Sequence, residues 1–295
     1  MAAGKHKASN VQHLSIILPA KNEAAGLQHT LPALRRAYPS AEIIVVNDGS
    51  TDATAQIARD NGAIVVSNPY SMGNGAAIKR GARAASGEIL VFMDADGQHN
   101  AGHIQALLDK LDTGYDMVVG ARDASGQANF HRGLANAFYN TLASHMTGHR
   151  IEDLTSGFRA VRAVRFREFL HLLPNGFSYP TTSTMAFFRS AYPVAYVPIP
   201  VAKRMGNGSH IRPLKDGLRF LLIIFKIATL YAPMKLFAPI AAAFFSIGLA
   251  YYGYTFATQH RLTNMSTLLF SASVIVFLIG LISEQITNLT YRRDS

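Results

Sequence analysis

The sequence predicts an α/β protein: a mostly parallel sheet flanked by helices, then an interfacial amphipathic helix and a two-helix transmembrane hairpin. Three observations carry this. Short apolar runs alternate with helix-length segments from Leu14 to Val119, the pattern of strand–helix units that build a parallel sheet. One of those runs, 89–93, has no polar side chain and stops at two carboxylates, Asp94 and Asp96. It reads as a buried strand with ligand-binding groups at its carboxyl end. Finally, 236–257 and 262–283 each hold 22 residues without a charge, about 30 Å of helix apiece at ~1.5 Å per residue.

Taken in order, 14–19 is the first strand and Ala20-Lys21-Asn22-Glu23 its loop, with a helix from about Glu23 to Ala37. Residues 42–46 form the second strand, which closes in Asn47-Asp48-Gly49-Ser50-Thr51-Asp52. Thr51 or Asp52 can cap the helix that runs to about Asn61, because a short oxygen-bearing side chain there accepts from the first free amides. Residues 63–67 are a third strand, Gly73-Asn74-Gly75 opens a helix through Ala85, 89–93 is the fourth strand, and 116–119 is the fifth, ending in Gly120-Ala121-Arg122-Asp123. The glycines at 73 and 75 allow two readings: backbone amides brought close to a ligand at a helix start, or an ordinary turn.

Composition narrows the chemistry. The 295-residue chain carries 28 Lys plus Arg against 18 Asp plus Glu, a formal net charge of +10, and no cysteine. Thiolate metal sites, cysteine nucleophiles and disulfides are excluded. The positive excess suits an anionic membrane surface or a phosphorylated substrate. No basic run interleaved with aromatics occurs, which argues against nucleic acid. The G-x-G-x-x-G and G-x-x-x-x-G-K-[ST] fingerprints are absent, which argues against a nicotinamide site or a P-loop. The polar, basic segment 1–12 reads as a flexible tail, and the apolar run after it is too short for a signal peptide's core.

In a parallel sheet all these strand ends share one rim, so one crevice collects carboxylates, amides and an arginine. Asp94 and Asp96 repel each other unless a cation lies between them. All-oxygen ligands suit Mg²⁺ or Mn²⁺, which usually share their shell with substrate phosphates.

Six blocks in this order resemble family 2 glycosyltransferases: Pro19-Ala20-Lys21-Asn22-Glu23, Val46 to Asp52, Gly73-Asn74-Gly75-Ala76-Ala77, Met93 to His99, Asp153 to Arg159, and Arg204 to His210. The last two blocks, together with the hairpin, resemble the polyprenyl-phosphate branch, which includes dolichyl-phosphate mannose synthases and bacterial undecaprenyl-phosphate glucosyltransferases. The resemblance implies a Rossmann-like GT-A fold and an inverting transfer of a sugar from UDP or GDP to a polyprenyl phosphate. It implies that Asp94, Asp96 and Gln98 hold Mg²⁺ or Mn²⁺, and that Pro19, Ala20, Asn22, Glu23, Asn47, Asp48, Ser50, Asn74 and Ala95 bind the donor. Arg204, Ser209 and His210 would close over the diphosphate. Arg122 and Arg132 would receive the acceptor phosphate, with Ser156 and Arg159 nearby. Three positions depart from the family pattern: Asn47 where an acid often stands, His210 where a Lys often stands, and 177–182 without an acid.

A phosphate acceptor simplifies the chemistry. Its second pKa lies near 6, so at pH 7 it is largely dianionic and needs positioning more than deprotonation. A hydroxyl acceptor would need a general base. Asp153 is the candidate for that alternative; otherwise it orients its own loop. A non-catalytic scaffold with a transferase-like domain would tolerate a broken metal site, and here the carboxylates are intact.

The expected organisation is a tail at 1–12, a cytoplasmic GT-A catalytic domain at 13–211, a juxtamembrane amphipathic region at 212–235, and membrane helices at about 236–257 and 262–283 within 236–295. Over 214–231, Lys215, Arg219 and Lys226 fall within about 40° of one another on a helix whose other residues are largely apolar. Lys226, Lys235, Arg292 and Arg293 flank the hairpin, which places both ends and the catalytic domain in the cytoplasm, as in a bacterial inner membrane. The expected partners are the nucleotide sugar, the lipid phosphate and the bilayer, with a homo-oligomer allowed.

Overall fold

A computed structural model describes residues 13–97, 99–122, 130–176, 178–200, 225, 228–229 and 231–291, and omits the side chains of 130–136 and 138. These residues divide into two compact units, one holding the sheet and its helices, the other the hairpin and the short stretch 145–148.

The sheet has seven strands: β1 (Leu14–Ala20), β2 (Glu42–Asp48), β3 (Ile64–Asn68), β4 (Ile89–Phe92), β5 (Met117–Arg122), β6 (Arg159–Arg162) and β7 (Val194–Ile199). Their order is β3-β2-β1-β4-β6-β5-β7. Only β6 runs against the others, paired antiparallel to β4 and β5. The carboxyl ends of the six parallel strands and the amino end of β6 therefore lie on one rim. The helices are α1 (Ala24–Ala37), α2 (Thr54–Asp60), α3 (Asn74–Ala84), α4 (His103–Leu111), α5 (Phe130–Thr147), α6 (Ala163–Glu168) and α7 (Tyr179–Arg189), with α8 (Pro233–Gln259) and α9 (Asn264–Tyr291) in the second unit.

Strand alternation explains the two buried faces. Ile16, Leu18, Val45 and Val91 join Leu27, Leu31 and Leu34 of α1 and Ile104, Leu107 and Leu111 of α4 in one core. On the other face α3 lies so close that a Cβ at Gly81 would meet Ile17 Cγ2 at 2.4 Å and Val46 Cγ2 at 3.1 Å. Each of the fully buried Ile and Leu side chains contributes roughly 1.5–3 kcal/mol.

The second unit is packed differently. In α8 the buried residues after Pro233 are Ala241, Gly248 and Thr255; in α9 they are Ser266, Ser273, Gly280 and Thr287. Both sets recur every seventh residue, a seam of small side chains that lets two apolar helices approach closely. Ser273 Oγ donates to the Ala241 carbonyl at 2.9 Å. The outward residues are large and apolar, including Phe245, Ile247, Leu268, Ile275 and Leu289. Both helices are long and apolar enough to cross a bilayer.

The parallel strands, the helices after β1, β2 and β3, and the hairpin agree with the sequence reading. The amphipathic region around Lys215, Arg219 and Lys226 lies outside the described residues. β5 is longer than expected: Arg122 is its last residue, paired with Ile199 of β7, so its backbone is held by the ladder.

Candidate active site

Asp94 and Asp96 follow β4 and are partly exposed, while Ala95 between them is buried. They stand either side of the inward Ala95 in the turn that follows the strand. The inward turn needs Gly26 on α1, where a Cβ would stand 2.2 Å from the Ala95 carbonyl oxygen. On the carboxylate side, a Cβ at Gly157 would lie 3.5 Å from both Asp94 oxygens, so the absent side chain leaves room beside them. Two all-oxygen side chains one residue apart suit a hard divalent cation in kind, although among the described residues no group of three His, Asp or Glu side chains gathers to hold one. The third expected ligand, Gln98, lies outside the described residues.

The loops after β1, β2 and β3, where the donor is expected, are held by anions that accept amides. Asp48 is buried and accepts four hydrogen bonds: Asn68 Nδ2 at 2.7 Å, Met72 N at 2.8 Å, Ser71 Oγ at 2.9 Å and Gly73 N at 2.9 Å. Burial alone would push its carboxyl up; the four donors outweigh this and hold it below the usual range. Asp48, one of the residues expected to bind the donor, has these acceptor positions engaged by its own chain, and it shapes the loop after β3. Asn47 Oδ1 accepts from Ser50 N, Ser50 Oγ accepts from Asn22 N, and Asn22 Oδ1 accepts from Thr51 N. Asn22 adopts a left-handed backbone with φ 56, which asparagine tolerates better than most residues. Asp52 accepts from Ala24 N and Thr54 N, so one carboxylate ties the starts of α1 and α2. Pro19, Ala20 and Glu23 lie on this same rim at the end of β1 and just beyond it.

The Gly73-Asn74-Gly75 segment takes neither of the two forms expected of it. Gly75 N donates to the Gly176 carbonyl and Ala76 N to the Asn175 carbonyl. A Cβ at Gly75 would come within 2.0 Å of the Pro174 oxygen. These glycines let α3 dock on loop 174–176, where the Gly75 and Ala76 amides are engaged.

The other side of the rim is built on cations. Arg122 forms a two-pronged ion pair with Asp153, Nε to Oδ2 at 2.8 Å and Nη2 to Oδ1 at 3.0 Å, and also donates to Thr155 Oγ1 at 2.5 Å. Asp153 further accepts Thr155 N and Ser156 N. Burial raises its carboxyl, but Arg122 and the amides outweigh that and hold it below the usual carboxylate range. Arg122 keeps a partly exposed guanidinium.

Two expected acceptor contacts are corrected. Ser156 is buried and its hydroxyl donates to the Gly120 carbonyl at 2.7 Å. Arg159 is fully buried; it donates to the Pro180 and Ser156 carbonyls, Ser183 Oγ and Thr184 Oγ1. Both side chains are engaged within the protein, where they hold the 153–159 segment. Arg132 lies on α5 with its side chain undescribed, and Arg204, Ser209 and His210 lie outside the described residues.

Three contributors were not visible as such in the sequence. Tyr179 donates its hydroxyl to the Gly157 carbonyl at 3.0 Å. Asn140 on α5 donates to the Glu152 carbonyl and accepts Leu154 N. His99 stacks on Phe158 with ring centroids 4.6 Å apart, and burial pushes its imidazole down to about 4, so it is neutral at pH 7. Only His99, in the carboxylate block, carried a signal, and that came from its place and not from its role.

A mostly parallel sheet with two carboxylates at the end of β4 and a braced arginine at the end of β5 is a GT-A-like transferase fold. The chain belongs to glycosyl transferase family 2, whose model matches residues 15–170, and the GtrB C-terminal hairpin matches 232–289. It is 26% identical to glycosyltransferase AglJ of Haloferax volcanii over 93% of each chain. It is 28% identical to a polyprenol monophosphomannose synthase of Mycolicibacterium smegmatis, over 68% of this chain and 83% of that one. With a dolichyl-phosphate hexose transferase of Haloferax volcanii the identity is 30%, over 69% and 89%. In fold it is similar to glucosyl-3-phosphoglycerate synthase from Mycobacterium tuberculosis, solved with Mn²⁺, UDP and glucosyl-3-phosphoglycerate: TM-score 0.58 and 23% identity over 74% and 78% of the chains.

Proposed function

We propose that this glycosyltransferase moves a sugar, with inversion, from a nucleoside diphosphate donor to a polyprenyl phosphate. The observation that carries the reading is Arg122: a partly exposed guanidinium fixed by Asp153 and Thr155 on the rim it shares with Asp94 and Asp96. A guanidinium oriented in this way binds phosphate oxygens through its remaining N–H groups.

Asp94, Asp96 and Gln98 would hold Mg²⁺ or Mn²⁺, which supplies charge neutralisation for the departing nucleoside diphosphate. Arg122, with Arg132, holds the acceptor phosphate and aligns one oxygen behind the anomeric carbon. That oxygen forms the new C–O bond as the bond to the diphosphate breaks, and the anomeric configuration inverts. The acceptor arrives as a dianion, so no side chain needs to take a proton. Asp153 suits this division of labour: its carboxylate is occupied by Arg122 and two amides and held low, a poor state for a general base. Names of relatives that include polyprenol and dolichyl-phosphate transferases support the lipid acceptor. The two apolar helices support insertion in a membrane, and the flanking Lys235, Arg292 and Arg293 support a cytoplasmic active site.

The test is to supply membranes containing the protein with polyprenyl phosphate and a panel of labelled UDP- and GDP-sugars. The expected product is an extractable, acid-labile lipid-linked monosaccharide, formed only with divalent metal and lost in Asp96→Asn. Label found only in polymer or protein, or transfer unchanged in Asp96→Asn, would contradict the proposal.

A further inference from the structure

Arg159 opens β6 between Phe92 of β4 and Val119 of β5, and its guanidinium is fully buried. Burying a cation is costly unless a counter-charge or a full set of acceptors surrounds it. Among the described residues, no carboxylate lies within ion-pair distance of it. Its contacts are neutral: the Ser156 and Pro180 carbonyls, the Ser183 and Thr184 hydroxyls, Met117 Sδ at 3.8 Å, and the Tyr179 ring at 5.7 Å. Nε has no partner among the described residues. The carboxylates that act on it through space are Asp153 and Asp94, one on each side of the rim.

Its hold on the chain is equally two-sided. The segment it grips runs from Asp153, which braces Arg122, to Gly157, which lies against Asp94. That segment's carbonyls are bonded at Glu152 by Asn140, at Leu154 by Thr181, at Ser156 by Arg159, at Gly157 by Tyr179 and at Phe158 by Gly120 N.

We propose that Arg159 is a positioning residue whose buried charge makes metal binding at Asp94 and Asp96 depend on the nucleotide diphosphate. This rests on the metal-and-nucleotide reading above. A fixed positive charge behind Asp94 opposes a lone divalent cation and favours the same cation when it arrives with an anionic diphosphate. The guanidinium's bonds separately set the distance between the donor and acceptor sides. Charge and geometry are thus distinct contributions, and two variants divide them.

The experiment measures Mn²⁺ binding to the full-length protein in detergent, from the free-Mn²⁺ paramagnetic resonance signal, without nucleotide and with UDP or GDP, whichever enhances binding to the wild-type chain; UDP stands for that nucleotide below. In Arg159→Met, Mn²⁺ without UDP binds roughly three- to tenfold tighter, and the enhancement by UDP shrinks by about tenfold, as expected for removal of one like charge at intermediate effective dielectric. A variant that merely loosens the fold would lose Mn²⁺ affinity instead, and that result, or an unchanged enhancement, overturns the proposal. Arg159→Lys keeps the charge and loses the forked bonds: it retains the UDP enhancement within about twofold while transfer falls roughly tenfold. Loss of the enhancement in Arg159→Lys overturns the charge contribution even if Arg159→Met fails to fold, and full transfer overturns the geometric one. If the wild-type chain binds no Mn²⁺ with either UDP or GDP, the metal reading itself fails; if it binds and the variants match it, only the role of Arg159 fails.

Discussion

The two sides of the sheet's rim are stiffened by opposite means. On the donor side, Asp48 and Asp52 are anions that gather backbone amides and short polar side chains. On the acceptor side, Arg122 and Arg159 are cations that gather carboxylate, carbonyl and hydroxyl oxygens. Four donors around Asp48 make it the brace of the loop after β3. Arg122 is braced through one edge and partly exposed, so it can both be held and hold. On the proposed reading the donor side supplies shape, and the positive charge that answers phosphate comes from the cation held by Asp94 and Asp96 and from Arg122.

The largest effect expected is at the metal carboxylates. Asp94→Asn should lower transfer by at least about a hundredfold at unchanged far-ultraviolet circular dichroism, since it removes stabilisation of the leaving diphosphate. Retained transfer would break the assignment of charge to this end of the rim. Next comes Asp48→Asn, whose new NH₂ group would replace one oxygen and so face either the Asn68 and Met72 donors or those of Ser71 and Gly73. Leaving those groups ill-matched should cost about 1–3 kcal/mol in denaturant unfolding, raise the donor KM and leave the acceptor KM unchanged.

Acid sharpens the comparison. Asp48 and Asp153 both have folded-state carboxyls held below the ordinary value. The stability they give is present above the unfolded carboxyl pKa of about 4 and is lost as pH falls through the lower folded values. Tm measured against pH should fall below about pH 4, and less steeply in Asp48→Asn. The smallest effect belongs to the hairpin: Ser273→Ala removes one bond to Ala241 and should cost about 0.6 kcal/mol of helix–helix association in micelles.

Much of the first half of the sheet was legible because its strands are apolar runs closed by turn residues, where periodicity speaks clearly. β6 was not, since Arg159-Ala160-Val161-Arg162 has charge at both ends and only four residues. Its burial depends on partners that are distant in sequence, at Pro180 and Ser183. β7 carries Pro198, which a central strand would not tolerate, and it lies at the sheet edge. Asp94, Asp96 and Arg122 were readable from their place at strand ends. The internal engagement of Ser156, Arg159, Asp48 and the Gly73–Gly75 segment escaped the sequence for one cause. Residue type marks a group as able to bind, while only tertiary contacts show which partner has already taken it. The small-residue seam of α8 and α9 was present in the sequence at seven-residue spacing, hidden inside stretches that hydropathy alone describes as uniform.

The division of the rim is tested most directly by steady-state kinetics of Asp153→Asn with polyprenyl phosphate and nucleotide sugar varied in turn. With Arg122 no longer braced by a carboxylate, the acceptor KM should rise roughly ten- to a hundredfold while the donor KM stays within about twofold. A rise confined to the donor KM, or a kcat lost at unchanged acceptor KM as removal of a general base would give, would contradict the account.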